Sequence, residues 1–445
     1  MQIPFATGNY RRIEGDLPEL RVKNFYGEEA PTEDTGVALQ SRPPLVASGA
    51  MAAPIQQLFR RDLVLGSTLY GVAGGYLYNG STQVGAIDGS EFTSMAGNEI
   101  GLMVTSGETL YFYDGTVLLP VVFPDDADVA HITTGGSRFW AVRKNTGKLY
   151  WTDPLESDVE ALDFLTAESL PDRLLQTLWI DGGLIAFGKE SIEFYQQTGN
   201  AELPIKPLIN MVIEKGIKQT GCACAYGHTF AFVTNENQVC IQSERQVISD
   251  PGLEKRIEQS TNVTLFTFLI GGTEFLALRY DTGTEVWVRG KWFEFTSYGY
   301  ANWLPTCWAD GIFGASSGEL LEWGEGHEDY DQTVLDRTFR AGFSLHDSGV
   351  RVNNLEVRCN PGQTPYLNGQ YAEPFLEMRY SRDGGQTWSD WFAGSVGKQG
   401  EYAKRVRWRG LGKFSQPGFL AEFRMTAPVP LRVSDVRLNE KWGGR

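Results

Sequence analysis

The sequence predicts an all-β protein: a six- or seven-bladed β-propeller followed by a C-terminal antiparallel β-sandwich of the jelly-roll-like type. Three observations lead to this prediction. Aromatic and β-branched residues accompany 51 Gly and 20 Pro in a chain of 445 residues, which is typical of short strands joined by tight turns. Similar strand–turn–strand units recur along residues 59–336. The recurrence stops at residue 337, where longer alternating strands begin.

Each repeated unit contains an apolar strand, a Gly-containing turn, a second apolar strand and a further strand that ends in an aromatic residue. The segments from Asp62 to Gly85, from His131 to Asp153 and from Thr264 to Phe295 are examples. The units recur roughly every 30–45 residues, close to the length of a propeller blade. Blades stacked in a ring bury each other's faces, which one small sheet cannot do alone.

Seven such units lie between residues 59 and 330, but the seventh is short. An N-terminal strand that completes it gives seven blades, and six blades remain open without it. A single mixed sandwich is the alternative for this region. Two inserts, Glu168 to Thr177 and Pro251 to Ser260, are predicted to be short helices.

The two ends of the chain differ from the repeats. Residues 1–58 show no sustained period and are predicted to be an extended docking segment, punctuated by Pro and Gly. Residues 337–445 read as strands with clean alternation and are predicted to form the sandwich. The domain boundaries therefore fall at residues 59 and 337.

Charge divides the chain in the same way. The net formal charge is −16, yet residues 337–445 contain 17 Lys+Arg and 10 Asp+Glu. The first 336 residues are left with 22 basic and 45 acidic side chains. An acidic body of this kind repels nucleic acid. The five scattered Cys argue against a disulfide framework, and no secretory signal is recognised, so reduced thiols and a cytosolic assembly pathway are expected.

The segment from Tyr380 to Trp391 contains an Asp-box, a hairpin turn known from sialidases. Its pattern residues are Ser381, Asp383, Gly385, Thr387 and Trp388. A glycosidase also needs a pair of positioned carboxylates, or a Tyr/Glu nucleophile with an Arg cluster. Because there is one box and it lies outside the repeats, we interpret it as a structural turn. A glycan-binding or sialidase-like propeller is the alternative function.

Metal and catalytic sites are not predicted. The conceivable metal ligands are Cys222, Cys224, His228 and Cys240. Their spacing does not match a standard zinc pattern, and small buried Cys are common in strands. No nucleophile motif or phosphate loop accompanies the four His residues. No cofactor is expected.

The strongest basic feature is the predicted strand from Lys404 to Lys413. Alternation places Arg405, Arg407 and Arg409 on one face, opposite the face of Lys404, Val406 and Trp408. These arginines form either a solvated outer face or a contact patch for an acidic neighbour, such as the acidic body of another subunit. A nucleic-acid patch is a weaker interpretation because the aromatic residue lies on the other face.

Several segments resemble the packaged-DNA stabilisation family of short-tailed bacteriophages, whose members are also called tail accessory, hub or nozzle proteins. The main markers run from Phe187 to Gly199 and from Glu214 to Thr234. Similar segments occur in the same order near the start, at Arg21 to Val46, and near the end, at Lys404 to Leu438. The resemblance therefore extends over nearly the whole chain.

The resemblance implies a non-enzymatic structural protein of the virion tail. It implies a six-fold ring of identical copies below the tail adaptor on the portal, and docking with a tail needle or plug and with tail spikes or fibres. It also implies that the ring closes the DNA channel after packaging and passes genomic DNA during ejection, without sequence-specific binding.

Overall fold

In the computed structural model, residues 2–10, 19–31, 36–89, 92–107, 109–167, 172–345 and 349–439 are described. Four strands precede the first repeat: β1 (Val22–Lys23), β2 (Phe25–Glu29), β3 (Val37–Ser41) and β4 (Leu45–Ala50). Among the described residues, α1 (Pro251–Gln259) is the only α-helix; Asp250 caps it by accepting a hydrogen bond from the Leu253 amide. No helix in these ranges has the length and apolar character that crossing a membrane requires.

The described residues form seven propeller blades, each a small antiparallel sheet. Blades 1 and 2 contain β5 (Ile55–Phe59), β6 (Tyr70–Ala73), β7 (Tyr76–Asn79) and β8 (Thr82–Ala86), then β9 (Ser94–Asn98), β10 (Gly101–Ser106), β11 (Thr109–Tyr113) and β12 (Leu118–Pro120). Blades 3 and 4 contain β13 (Val129–Gly135), β14 (Arg138–Arg143), β15 (Lys148–Thr152) and β16 (Val159–Thr166), then β17 (Leu174–Ile180), β18 (Gly183–Gly188), β19 (Ile192–Gln197) and β20 (Ile205–Ile213). Blades 5 to 7 contain β21 (Ala223–Tyr226), β22 (Thr229–Val233) and β23 (Val239–Ile241), then β24 (Thr264–Ile270), β25 (Thr273–Tyr280), β26 (Gly283–Val288) and β27 (Lys291–Phe295), then β28 (Pro305–Ala309), β29 (Ile312–Ala315) and β30 (Glu319–Trp323).

The ring of blades closes on itself. The first strand of each blade contacts the first strand of the next, and β28 of blade 7 contacts β5 of blade 1. Blade 7 takes its fourth strand from the N-terminal part of the chain, because β4 pairs antiparallel with β30. Tight turns such as Gly271-Gly272, both at positive φ, join neighbouring strands. The propeller is therefore seven-bladed, which is the predicted case in which an N-terminal strand completes the seventh unit.

A two-stranded sheet, β31 (Glu328–Asp329) and β32 (Thr333–Val334), leads into the C-terminal β-sandwich. The sandwich strands are β33 (Arg337–Ser344), β34 (Val350–Cys359), β35 (Phe375–Ser381), β36 (Phe392–Ser395), β37 (Val406–Phe414), β38 (Gly418–Met425) and β39 (Arg432–Leu438). One sheet has the order β33-β38-β35-β36, and the other has the order β2-β3-β39-β34-β37. The prediction of an all-β propeller followed by a β-sandwich is confirmed.

The two domains share one continuous sheet. Strand β1 pairs in parallel with β27 of blade 6, at Lys23 and Glu294, and antiparallel with β33 of the sandwich, at Val22 and Phe339. The resulting sheet has nine strands. Its apolar side continues from the sandwich into blades 6 and 7 as one buried cluster.

Two predictions about local structure need correction. The segment 1–58 is not a separate extended unit: its strands belong to the shared sheet, the sandwich and blades 7 and 1. These strands are short, and their partners lie far away in the chain, so no local period reveals them. The helix predicted for 168–177 is wrong over Leu174–Thr177, which lies in β17, where pairing with β18 overrides helical propensity. Residues 168–171 lie outside the described residues. The second predicted helix is present as α1.

Candidate interaction surfaces

The basic strand predicted at Lys404 to Lys413 is β37, an edge strand of the five-stranded sandwich sheet. Val406 and Trp408 are buried in the core, whereas Arg405 and Arg409 are exposed and Arg407 is half-buried. Lys404, which alternation assigns to the face of Val406, is exposed just before the strand begins. The alternation of β37 thus places Arg407 and Arg409 on the outer face of the sheet, and Arg405 is exposed immediately before the strand begins.

A buried carboxylate lies close to two of these arginines. Arg407 donates from Nε to Oε2 of Glu356, which lies opposite on β34 and is 2% exposed. Arg405 Nη1 lies 3.8 Å from the same oxygen. Arg409 has no ion pair among the described side chains. The charge available to a partner therefore comes mainly from Arg409 and Arg405, whereas Arg407 compensates Glu356.

The Asp-box residues bind one another. Ser381 Oγ accepts a hydrogen bond from the Gly385 amide at 2.8 Å, and Asp383 accepts from the Thr387 amide at 2.9 Å and from Thr387 Oγ1 at 2.5 Å. Trp388 Nε1 donates to the Gly385 carbonyl at 3.1 Å. The Thr387 hydroxyl and amide hold the pKa of Asp383 well below its usual range. The carboxylate is therefore committed to the turn between β35 and β36.

A ladder of arginines and tryptophans, not predicted from the sequence, adjoins this turn. Arg379 Cζ lies 4.6 Å from the Trp388 ring centre and 4.7 Å from that of Trp391. Arg340 covers the Trp388 ring at 5.2 Å, and Arg424 covers the Trp391 ring at 4.2 Å. The arginines therefore alternate with the indoles across β33, β35 and β38.

Two carboxylates fix the arginines of this ladder. Glu422, which is 4% exposed, accepts from Arg340 Nε and Arg379 Nε, both at 2.8 Å. Glu377 accepts from Arg424 Nη2 at 2.7 Å. The spacing Trp388-x-x-Trp391 beside strands with alternating Glu and Arg is the signal that the sequence offered. The cross-strand register that brings Arg379 beside Glu422 is not visible in it.

The centre of the propeller encloses a cavity of about 1080 Å³. It is lined by the first strands of the blades, among them His131 on β13, and by residues beside these strands, such as Phe92 just before β9 and Arg279 on β25. The His131 ring stacks on Phe92 with centres 6.3 Å apart and accepts a long hydrogen bond from the Thr177 amide at 3.4 Å. Burial lowers the pKa of His131 to about 3, so the ring is neutral. The cavity has the size of a small-molecule pocket.

The four residues considered as metal ligands do not form a group. Cys222 and Cys240 are buried in the core between blades, and burial raises the pKa of each thiol to about 12. Cys224 is half-buried, and His228 is exposed in the turn between β21 and β22. No group of three His, Cys, Asp or Glu side chains with metal-ligand geometry occurs in the described ranges. His346 lies outside the described residues.

Comparison with known proteins identifies the family. The family described as the β-propeller of bacteriophage P22 Gp10 matches residues 1–265, and the P22 Gp10 β-sandwich matches residues 339–440. The chain belongs to the bacteriophage P22 Gp10 family. It is a structural component of a short phage tail and is located in the virion tail. The resemblance to the hub or nozzle proteins of short-tailed phages is thereby confirmed.

A relative within the Gp10 family is the tail hub protein gp10 of Salmonella phage P22. It is 28% identical over 186 residues, which cover 38% of this chain and 39% of that protein. The match thus spans about two fifths of the relative's length.

Solved structures with related shapes add no functional information. The computationally designed Ika8 protein matches with 10% identity and a TM-score of 0.39, covering 63% of this chain and 99% of that one. Raptor of Chaetomium thermophilum matches with 9% identity and a TM-score of 0.40, covering 64% of this chain and 29% of that one. Both TM-scores are too low to carry an argument.

Proposed function

We propose that this protein forms a six-fold ring in a short phage tail, below the adaptor proteins attached to the portal. The ring closes the DNA channel after packaging by presenting a seat for a tail needle or plug, and it passes the genome when the plug leaves. Tail spikes or fibres dock on its outside. The role is mechanical and involves no catalytic step.

The observation that carries this proposal is the continuous, buried connection between propeller and sandwich. Besides the nine-stranded sheet, a buried ion pair joins the parts: Arg42 Nη2 lies 2.6 Å from Asp329 Oδ2, and both side chains are at most 1% exposed. Arg42 also donates to Asn24 Oδ1 and to the Thr296 carbonyl. A subunit that closes a channel must keep its propeller and sandwich in a fixed relative position. The shared sheet and the buried ion pair support such a fixed position.

The size of the propeller's cavity supports a channel formed between copies. A cavity of about 1080 Å³ suits a small ligand rather than duplex DNA. If DNA passes this protein, it passes beside the propeller. A ring of copies around a central opening meets that requirement, because propellers are rigid blocks that can be tiled.

The acidic body suits a channel that releases DNA. Carboxylates repel the phosphates of DNA. Lys and Arg side chains bind phosphates in a salt-dependent way and would slow the passage of the DNA. With 45 acidic against 22 basic residues before residue 337, we expect weak binding of duplex DNA by the isolated protein. A filter-binding assay at low salt measures this. Tight binding would contradict the proposed lining.

Electron microscopy of the protein mixed with its tail adaptor complex tests the ring directly, with the protein alone as the control. We expect six-fold rings that cap the adaptor. A monomer that ignores the adaptor would contradict the proposal. A screen for glycan binding and cleavage would then follow, with Asp383→Asn beside the wild type to determine whether the Asp-box turn contributes.

A further inference from the structure

The outer edges of blades 2 and 3 combine exposed apolar side chains with carboxylates. Five large apolar residues are 47% to 88% exposed there: Val117, Leu119, Val122, Leu155 and Leu162. The segment Pro124–Asp126 contacts β16, so these edges adjoin each other. We call this surface, formed by residues 117–126 and 153–163, the acidic rim. Exposed apolar groups of this number on one side of a soluble domain indicate an interface.

The charged residues of the acidic rim are all acidic. The segment from Asp153 to Asp163 contains five acidic residues and no basic residue. Glu156, Asp158 and Glu160 are exposed and have no ion pair among the described residues. Apolar groups surrounded by carboxylates favour a partner surface that is basic.

The acidic rim lies across the propeller from the sandwich. The sandwich joins the propeller at blade 6, through β1 and β27. Counting three blades from blade 6 in either direction round the seven-bladed ring reaches blades 2 and 3. The rim and the sandwich are therefore at opposite ends of the molecule.

The sandwich end presents the opposite charge. We define the basic face as the exposed Arg351, Arg405, Arg409 and Lys413, on or next to β34 and β37 at the edge of the five-stranded sheet. In an antiparallel pair, Arg351 lies opposite Lys413. Two basic faces would repel each other, which disfavours a symmetric contact between sandwiches.

We propose that the acidic rim of one copy binds the basic face of the next copy, head to tail. A head-to-tail contact, in which the rim of each copy meets the face of the next copy, generates a closed ring or an open filament. The contact buries the apolar side chains of the rim and pairs carboxylates with guanidinium and ammonium groups. This inference rests on the proposed ring and names the surfaces that form it.

Charge reversal tests the contact. The rim variant is Glu156→Lys/Asp158→Lys/Glu160→Lys, and the face variant is Arg351→Glu/Arg409→Glu/Lys413→Glu. Arg407 is left intact because it compensates buried Glu356. The matched control is Glu202→Lys/Glu214→Lys/Glu258→Lys, which reverses three exposed charges on blade 4 and on α1. Thermal unfolding of each variant verifies that it is folded.

Sedimentation of the protein alone and electron microscopy with the adaptor complex measure assembly. We expect each reversed variant to associate at least about tenfold more weakly than the wild type, while the control associates normally. An equimolar mixture of the rim and face variants should assemble again, because two kinds of subunit can alternate round an even-numbered ring. A rise in ionic strength should weaken the wild-type contact.

Three results would overturn the inference. The first is normal assembly of the rim variant or of the face variant. The second is a mixture that stays dissociated, which would assign the two surfaces to other tail proteins. The third is a control that fails as the variants do. In each case the wild type still forms rings on the adaptor, so the proposed function stands. A wild type that forms neither rings nor head-to-tail chains removes both proposals.

Discussion

The propeller and the sandwich are both antiparallel β-structures, but they assemble their sheets differently. In blades 1 to 6, neighbouring strands follow one another in the chain. The five-stranded sandwich sheet instead pairs β3 with β39, at Leu39 and Val433, across almost the whole chain. Local pairing leaves a repeat in the sequence, and non-local pairing does not.

The N-terminal segment connects these two kinds of structure. Strand β1 joins the shared sheet, β2 and β3 complete the sandwich, and β4 completes blade 7. A change in this segment should therefore affect both domains, whereas a change inside one domain should remain local.

The largest effect is expected for Arg42→Ala. The substitution leaves Asp329 buried without its partner, because the other hydrogen bond that this carboxylate accepts, from the Leu45 amide at 2.9 Å, does not neutralise it. We expect a loss of about 3–5 kcal/mol in the free energy of unfolding. Chemical denaturation measures this loss. Hydrogen exchange should show reduced protection of the backbone amides in β4 of blade 7 and in β3 of the sandwich together.

Arg60→Ala is the matched control for Arg42→Ala. Arg60 pairs with Asp310 at 3.3 Å, but the two side chains are 38% and 66% exposed. A surface pair of this kind contributes at most about 1 kcal/mol. Similar losses for the two variants, or a loss for Arg42→Ala confined to one domain, would contradict the view of the N-terminal segment as a shared element.

An intermediate and local effect is expected for Trp391→Ala. The substitution removes the ring between Arg379 and Arg424, and with it two stacking contacts worth about 1–2 kcal/mol together. Hydrogen exchange should increase in β35 and β38 while the blades keep their protection. Trp391→Phe should retain part of the stability, and Tyr402→Ala, at a 65% exposed aromatic, should have no effect. Loss of protection in the blades would show that the ladder is not local to the sandwich.

The same contrast explains how much could be predicted from the sequence. The blade hairpins were recognisable because turns such as Gly271-Gly272 separate consecutive strands. The shortness of the seventh unit suggested a further N-terminal strand, which the structure identifies as β4. Strand β1 is two residues long, so its pairing with β27 and β33 leaves no pattern.

The candidate surfaces follow the same rule. Alternation within one strand separated Arg405 and Arg409 from the buried Val406 and Trp408. By contrast, the Arg–Trp ladder depends on the register of three strands, and the acidic rim depends on the order of blades around the ring. Features within one strand were predictable, and features between strands were not.

The last prediction concerns pH and is confined to the propeller. His131 is buried in β13 with a pKa lowered to about 3. The unfolded chain binds a proton there below about pH 6.5, whereas the folded chain does not until about pH 3. The stability contributed by the neutral ring is therefore complete above pH 6.5 and is lost as the pH falls towards 3, at up to about 1.4 kcal/mol per pH unit.

His131→Gln should remove this part of the pH dependence, because glutamine does not titrate. The measurement is the free energy of unfolding between pH 7 and pH 4.5, and the slope matters rather than the absolute stability, which repacking beside Phe92 also changes. His228→Gln is the control, since the His228 ring is exposed in a turn and the slope should stay as in the wild type. Carboxylates contribute equally to the wild type and to both variants, so the difference in slope isolates the buried ring. An unchanged slope in His131→Gln would mean that the folded propeller admits a proton at this position.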